Sequence, residues 1–120
     1  MGTSAMARGI VGLVIDGCVR DADELEEMGF PVFSSGLCIR GTEKLFDGAG
    51  SLAEPITIGE ITINHGDLVL GDEDGLVIIP ADQVEVGIQK SVERETKEDA
   101  TKERLKTGET SMEIYGWDKN

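Results

Sequence analysis

Two apolar runs and a helix-like stretch between them occupy only 24 residues, and this constrains the fold more than any other feature. Residues 10–15 (IVGLVI) form a short continuous apolar run with β-branched members. Such a run reads as a buried strand, not an alternating edge strand. Gly17 lies just past it and permits a tight turn. Residues 21–28 (DADELEEM) suit a short helix, and Asp21 and Glu24 have the D-x-x-E spacing of a capping box. Gly29 then fits the stop position. Residues 31–33 (PVF) read as a second strand entered through a proline. Strand, helix and strand at this spacing predict a βαβ unit with parallel strands.

The chain is loop-like from Gly36 to Pro55. Residues 56–63 (ITIGEITI) then alternate in two halves around Gly59, as a strand with a bulge or bend would. His65-Gly66-Asp67 reads as a turn, residues 68–70 (LVL) as a strand, and Asp72-Glu73-Asp74-Gly75 as a hairpin turn. Residues 76–79 (LVII) return as a strand, and Pro80 ends the sheet. These close turns imply antiparallel pairing, so two different β layers are expected, with helices covering one.

Residues 81–107 read as helix, with Val84, Ile88 and Val92 making a narrow apolar stripe. Glu93/Lys97 and Glu98/Lys102 are attractive i,i+4 pairs, and Asp99/Glu103 is a repulsive one. Gly108 is a good C-terminal cap residue. Beyond Val92 only Ala100 and Leu105 are apolar, so the later turns are expected to project from the body or lie against another subunit.

Composition sharpens this division. Residues 1–80 hold 13 of the 16 Gly, with 14 acids and 4 bases; residues 81–120 hold 10 acids and 7 bases. The expected organisation is a site-bearing α/β body over 1–80 and a helix and tail over 81–120. A net charge of −13 argues against nucleic acid and against anionic membranes as partners. Two Cys and one His cannot build a usual zinc site or a disulfide framework. The apolar runs are too short to span a bilayer, and residues 1–20 lack a convincing signal-peptide layout. The reading is a cytoplasmic protein.

The most informative stretch is residues 9–21, GIVGLVIDGCVRD, where a strand runs out into Arg20-Asp21 at a helix start. Arg20 can clamp a carboxylate in bidentate fashion. Asp21 can hold a hard divalent cation, with waters filling other positions. The blander alternative is that Asp21 caps the helix and Arg20 pairs with a neighbouring acid.

V-I-D-G-x-V-R-D, then F-P-V-F, then G-L-x-I-R-G-T-x-K, then G-D-L-V-x-G-D-x-D-G-L-V-x-x-P together resemble the RraA-like family. The resemblance covers residues 2–108. That family includes the 4-hydroxy-4-methyl-2-oxoglutarate/4-carboxy-4-hydroxy-2-oxoadipate aldolases, which also decarboxylate oxaloacetate, and a non-catalytic protein regulator of ribonuclease activity. The resemblance implies a β/β/α sandwich of the swivelling-domain type, assembled as trimers or hexamers with sites at subunit interfaces. It implies that Arg20 binds the carboxylate of a 2-oxo acid and that Asp21 ligates Mg²⁺ or Mn²⁺. It also implies an acid from a neighbouring subunit's C-terminal helix, for which Glu98 is the first candidate and Glu95 the second. Aligned on Arg20-Asp21, a further loop acid of the aldolases falls before Met1, so the chain resembles the C-terminal part of a family member.

The implied chemistry is a metal-dependent retro-aldol cleavage to pyruvate, with the regulator as the alternative function. Lys44, the only lysine of residues 1–80, lies in a loop, which disfavours imine chemistry. His65 reads as a turn residue, and Cys18 as a buried or bystander thiol. The D-E-D-G run lacks the spacing of a calcium loop. Arg40 reads either as a loop anchor or as a substrate-selecting contact.

Overall fold

Residues 1–43, 47–48 and 50–117 are described by a computed structural model, and Lys44 lies outside them. The chain divides into two units, Met1–Ile78 and Ile79–Asn120.

The first unit opens with a short helix α1 (Gly2–Met6), strand β1 (Leu13–Val19), helix α2 (Ala22–Glu27) and strand β2 (Val32–Leu37). β1 and β2 pair in parallel, from Leu13 opposite Val32 to Val19 opposite Leu37, as the strand–helix–strand spacing requires. The strand boundaries differ from the apolar run. Ile10 is spent closing α1, its N–H donating to the Ala5 carbonyl at 3.1 Å. β1 then continues through Asp16 and Gly17 instead of turning at Gly17. Between Ile15 opposite Ser34 and Cys18 opposite Gly36, β1 advances three residues while β2 advances two. This extra residue is a bulge, which accommodates the polar pair inside the strand. Ser35 Oγ donates across it to Asp16 Oδ1 at 3.2 Å.

β1 is also less buried than expected: Leu13 and Ile15 are each 38% exposed. The physical reason is that β1 and β2 form a two-stranded sheet with no further strand on either edge among the described residues. Parallel strands are ordinarily covered on both faces.

α2 stops where Gly29 predicts. The Gly29 N–H donates to the Glu26 carbonyl at 2.9 Å and the Phe30 N–H to the Leu25 carbonyl at 3.1 Å. This is a Schellman ending, with Gly29 at φ 63 where a side chain would be strained. It turns Phe30 inward, and Phe30, 5% exposed, is the buried apolar residue of the described set. Gly2 of α1 lies close by: a Cβ there would stand 3.1 Å from Leu25 Cδ2 and 3.6 Å from Phe30 Cδ1.

The later strands are β3 (Ile56–Ile58), β4 (Ile61–Ile63), β5 (Leu68–Asp72) and β6 (Gly75–Ile79). Residues 56–63 form not one bent strand but an antiparallel hairpin, with Ile58 opposite Ile61 across Gly59-Glu60. Glycine at the first of two loop positions is a standard tight-hairpin arrangement. β5 and β6 pair across a two-residue connection, Glu73-Asp74, which leaves only the antiparallel sense. Asp72 Oδ1 accepts from the Asp74 N–H at 2.9 Å, so the D-E-D-G acids are engaged in a turn. His65 likewise sits in a turn, closed by Asp67 Oδ2 accepting from the Asn64 N–H at 2.8 Å. The fold class is therefore α/β, as expected, built from one parallel and two hairpin sheets and a long C-terminal helix.

That helix dominates the second unit. A 3₁₀ turn (Ala81–Gln83) leads into α3 (Val84–Lys106), followed by α4 (Ser111–Tyr115). Gly108 at φ 98 ends α3 in a second Schellman motif, with its N–H on Leu105 and the Glu109 N–H on Arg104. The side-chain pairs differ from those read in the sequence. Arg94 reaches Glu98 at 2.7 Å and Lys102 reaches Asp99 at 2.9 Å, so neither Glu93/Lys97 nor Glu98/Lys102 forms. Gln89 instead donates to Glu93 at 3.0 Å. At the start of α4, Thr110 and Glu113 make a complete capping box.

Candidate functional site

Both strands of the parallel unit end at the same edge, and the Cys38 N–H donates to the Val19 carbonyl at 2.8 Å beyond the last paired residues. Arg20-Asp21 and residues 39–41 therefore leave the sheet side by side. The carboxyl ends of parallel strands are where α/β folds commonly bind ligands. Asp21 precedes α2 at φ 61, ψ 43, in the left-handed region. N-cap residues normally take extended geometry. From its left-handed position the Asp21 side chain makes no capping bond. The D-x-x-E capping box read in the sequence is thus not formed. Among the described residues, Asp21 and Ala53 are the non-glycine residues that hold a positive φ.

What Asp21 does instead is face its neighbour. Arg20 Nε lies 3.4 Å from Asp21 Oδ2, with the two side chains 58% and 59% exposed. The contact is loose for a hydrogen bond and solvated, so it holds the pair together only weakly. One part of the bland alternative is realised, since Arg20 does pair with an acid, but that acid is Asp21 itself. Arg20 also reaches the second strand's exit: its Nη1 stands 3.7 Å from where a Cβ on Gly41 would lie. Arg40, one residue earlier, makes no hydrogen bond or ion pair among the described residues.

Beside this corner is a groove of about 290 Å³ lined by Val19, Ala22, Leu25, Phe30, Val32 and Leu37, with other residues of the same elements. A second depression is lined wholly by charged residues of α3: Lys90, Glu93, Arg94 and Lys97. Cys18 and Cys38 are both free and exposed, so Cys18 is not a buried thiol. Its Sγ stands 3.9 Å from a Cβ position on Gly36.

Glu98 and Glu95 belong to the second unit, on α3. Glu98 is 52% exposed and engaged by Arg94. That hydrogen bond is the main reason the Arg94 guanidinium holds its proton more tightly than usual. Glu95 makes no ion pair or hydrogen bond among the described residues, and adds only to the negative field around Lys102. No cluster of three or more His, Cys, Asp or Glu side chains occurs among the described residues. Asp21 is the residue of this corner whose carboxylate could hold a hard divalent cation. No helix among the described residues is long and apolar enough to cross a membrane.

Comparison with known proteins converges on one family. A family profile described as Aldolase/RraA, RraA-like, matches residues 1–78. A protein of Halalkalibacterium halodurans named "Putative 4-hydroxy-4-methyl-2-oxoglutarate aldolase" is 32% identical over 111 residues, covering 92% of this chain and 52% of the relative. A protein of the same name from Albidiferax ferrireducens is 37% identical over 78 residues, covering 65% of this chain and 44% of the relative. The crystal structure of an uncharacterized protein from Pseudomonas syringae pv. tomato superposes with a TM-score of 0.79 at 30% identity, covering 92% of this chain and 51% of that one. The chain spans about half the length of these relatives. With well over half of its length inside the profile and a matching fold, the chain belongs to the RraA-like, Aldolase/RraA family.

Proposed function

We propose that the protein acts as a divalent-metal-dependent aldolase that cleaves 4-hydroxy-2-oxo acids to pyruvate, and that it also decarboxylates oxaloacetate. The observation that carries this reading is the left-handed Asp21, whose carboxylate leaves the helix start uncapped and stands beside Arg20 at a strand's carboxyl end. The names of the relatives support the reaction class.

Arg20 would hold the carboxylate of the 2-oxo acid through its paired N–H donors, fixing the orientation of the adjacent carbonyl. Asp21 would hold Mg²⁺ or Mn²⁺ through its carboxylate. When bound, the cation supplies Lewis-acid polarisation of the 2-oxo group. Aldol cleavage needs a proton removed from the 4-hydroxyl oxygen as the C3–C4 bond breaks, and a proton returned to C3. Glu98, with Glu95 second, would accept and return that proton through a water, from the α3 of a neighbouring copy. Its solvated partner Arg94 is readily given up. In this reading the site lies at a subunit interface, in the homotrimer or hexamer that the family resemblance implies. In a chain of net charge −13, Arg20 and the cation supply the local positive potential that an anionic substrate needs. The test is pyruvate release from oxaloacetate in the presence of Mg²⁺ or Mn²⁺, in the natural protein that carries this sequence.

A further inference from the structure

We propose that Cys18 and Cys38 form a redox pair, which closes a reversible disulfide across the exits of β1 and β2 by exchange with a small disulfide of the glutathione class. The chain has two cysteines, and both are free and exposed. The strand register puts them on one face. Cys18 stands opposite Gly36, and the Cys38 N–H donates to the Val19 carbonyl at 2.8 Å, which extends the parallel pairing to Cys38 opposite Arg20. Cys38 follows Gly36 by two residues, so it lies on the face of β2 that Gly36 presents to Cys18. The Cys18 thiol is already on that side, its Sγ 3.9 Å from where a Cβ on Gly36 would lie. Gly36 has no side chain to interpose, so Cys38 carries the next side chain along that face.

Strand spacing and rise set such diagonal Cα atoms about 8 Å apart. A disulfide closes below about 7 Å. Cys38 must therefore approach Cys18 by about 1–2 Å. Its position permits this, because β2 ends at Leu37 and Cys38 begins the loop that follows. A bridge closed by such a shift is strained, and strained, exposed disulfides are the readily reduced, regulatory ones. Residues 39–41 follow directly, and the Arg20 Nη1 stands 3.7 Å from a Cβ position on Gly41. Closing the bridge moves this loop against Arg20.

The exchange runs in two steps. One protein thiolate attacks a sulfur of glutathione disulfide, expels one glutathione and leaves a mixed disulfide. The second thiolate attacks the protein sulfur of that bond and expels the other glutathione. Two protein thiols lose two protons and two electrons, and two glutathione thiols carry them away. Excess glutathione reverses both steps.

The experiment is incubation of the folded natural protein with oxidised glutathione, alkylation of remaining thiols, and peptide mass mapping without reduction. A peptide linking Cys18 to Cys38 within one chain is expected, and its loss on adding excess reduced glutathione. Cys18→Ser and Cys38→Ser are each expected to hold a glutathione on the remaining cysteine instead. Amide NMR signals of residues 39–41 are expected to move on oxidation of wild type and to return on reduction. Stable glutathione adducts on both wild-type cysteines, a link between two chains, a bridge that forms only in urea, or no reaction would each overturn the proposal. A bridge that leaves the signals of residues 39–41 in place would overturn the coupling to the Arg20 corner.

Discussion

Arg20 Nε stands 3.4 Å from Asp21 Oδ2, and the second of these residues holds a backbone conformation that favours glycine. A left-handed aspartate at a helix start forgoes the capping bond that its D-x-x-E spacing offers. Strain of this kind persists where surrounding structure enforces it, and it concentrates at functional positions.

The strain makes a stability prediction. Asp21→Gly removes a side chain that makes no capping bond and relaxes a φ of 61. Thermal or denaturant unfolding is expected to show stability unchanged or raised by about 1 kcal/mol, while metal-dependent turnover is lost. A destabilisation larger than about 1 kcal/mol would show that the carboxylate supports the fold.

Gly71 of β5 is demanded by a close approach. A Cβ there would stand 2.7 Å from Phe33 Cε2 and 2.8 Å from Leu76 Cδ2. Gly71→Ala is therefore expected to destabilise by about 1–3 kcal/mol, the usual cost of overpacking against a rigid ring. Phe33→Leu in the same chain should recover part of that loss. Equal stability of Gly71→Ala and wild type in urea would contradict the contact.

The end of α3 and all of α4 should respond to acid. Glu113 is held below the usual carboxylate value of 4.5 by the Thr110 backbone N–H first and the Thr110 hydroxyl second. Glu109 is held below it chiefly by the Arg104 hydrogen bond. A depressed carboxylate contributes stability that is fully present above its unfolded pKa, about 4.3, and is lost as pH falls through the folded value. Amide NMR signals of residues 110–116 should therefore shift towards coil below that pKa. In Glu113→Gln the same signals should show little dependence on acid.

Glu98 separates a structural from a catalytic role. Its pair with Arg94 is solvated, with side chains 52% and 81% exposed. Glu98→Gln is expected to leave α3 helicity by circular dichroism unchanged and to lower turnover in the natural assembly. If turnover survives, Glu95→Gln is the next variant, and retention in both removes α3 from the site.

Much of this was readable from the chain. The parallel unit follows from residues 10–15 and 31–33 because runs without alternation suit buried parallel strands. Gly29 and Gly108 mark helix ends because both take a positive φ that other residues avoid. What was not readable involves competition between local rules. Asp16 and Gly17 look like turn residues, yet a bulge keeps them inside β1. The D-x-x-E at Asp21 looks like a capping box and is not one, because Asp21 takes a left-handed conformation from which its side chain makes no capping bond. The T-x-x-E at Thr110 is a capping box, and it was visible in the sequence by the same rule. α1 is five residues long and too short to show a period. The proximity of Arg20 to Gly41 depends on strand register, which spacing along one chain does not reveal.

The central claim is that Arg20 and Asp21 together make a carboxylate and cation site for a 2-oxo acid. The most direct measurement is pyruvate release from oxaloacetate by the natural protein, with Mg²⁺ or Mn²⁺ and again with chelator, in wild type, Arg20→Ala and Asp21→Asn. The account predicts turnover that needs the metal and falls by about 100-fold or more in either variant, the scale of losing one transition-state contact. Turnover that persists with chelator, or that survives in both variants, would contradict it.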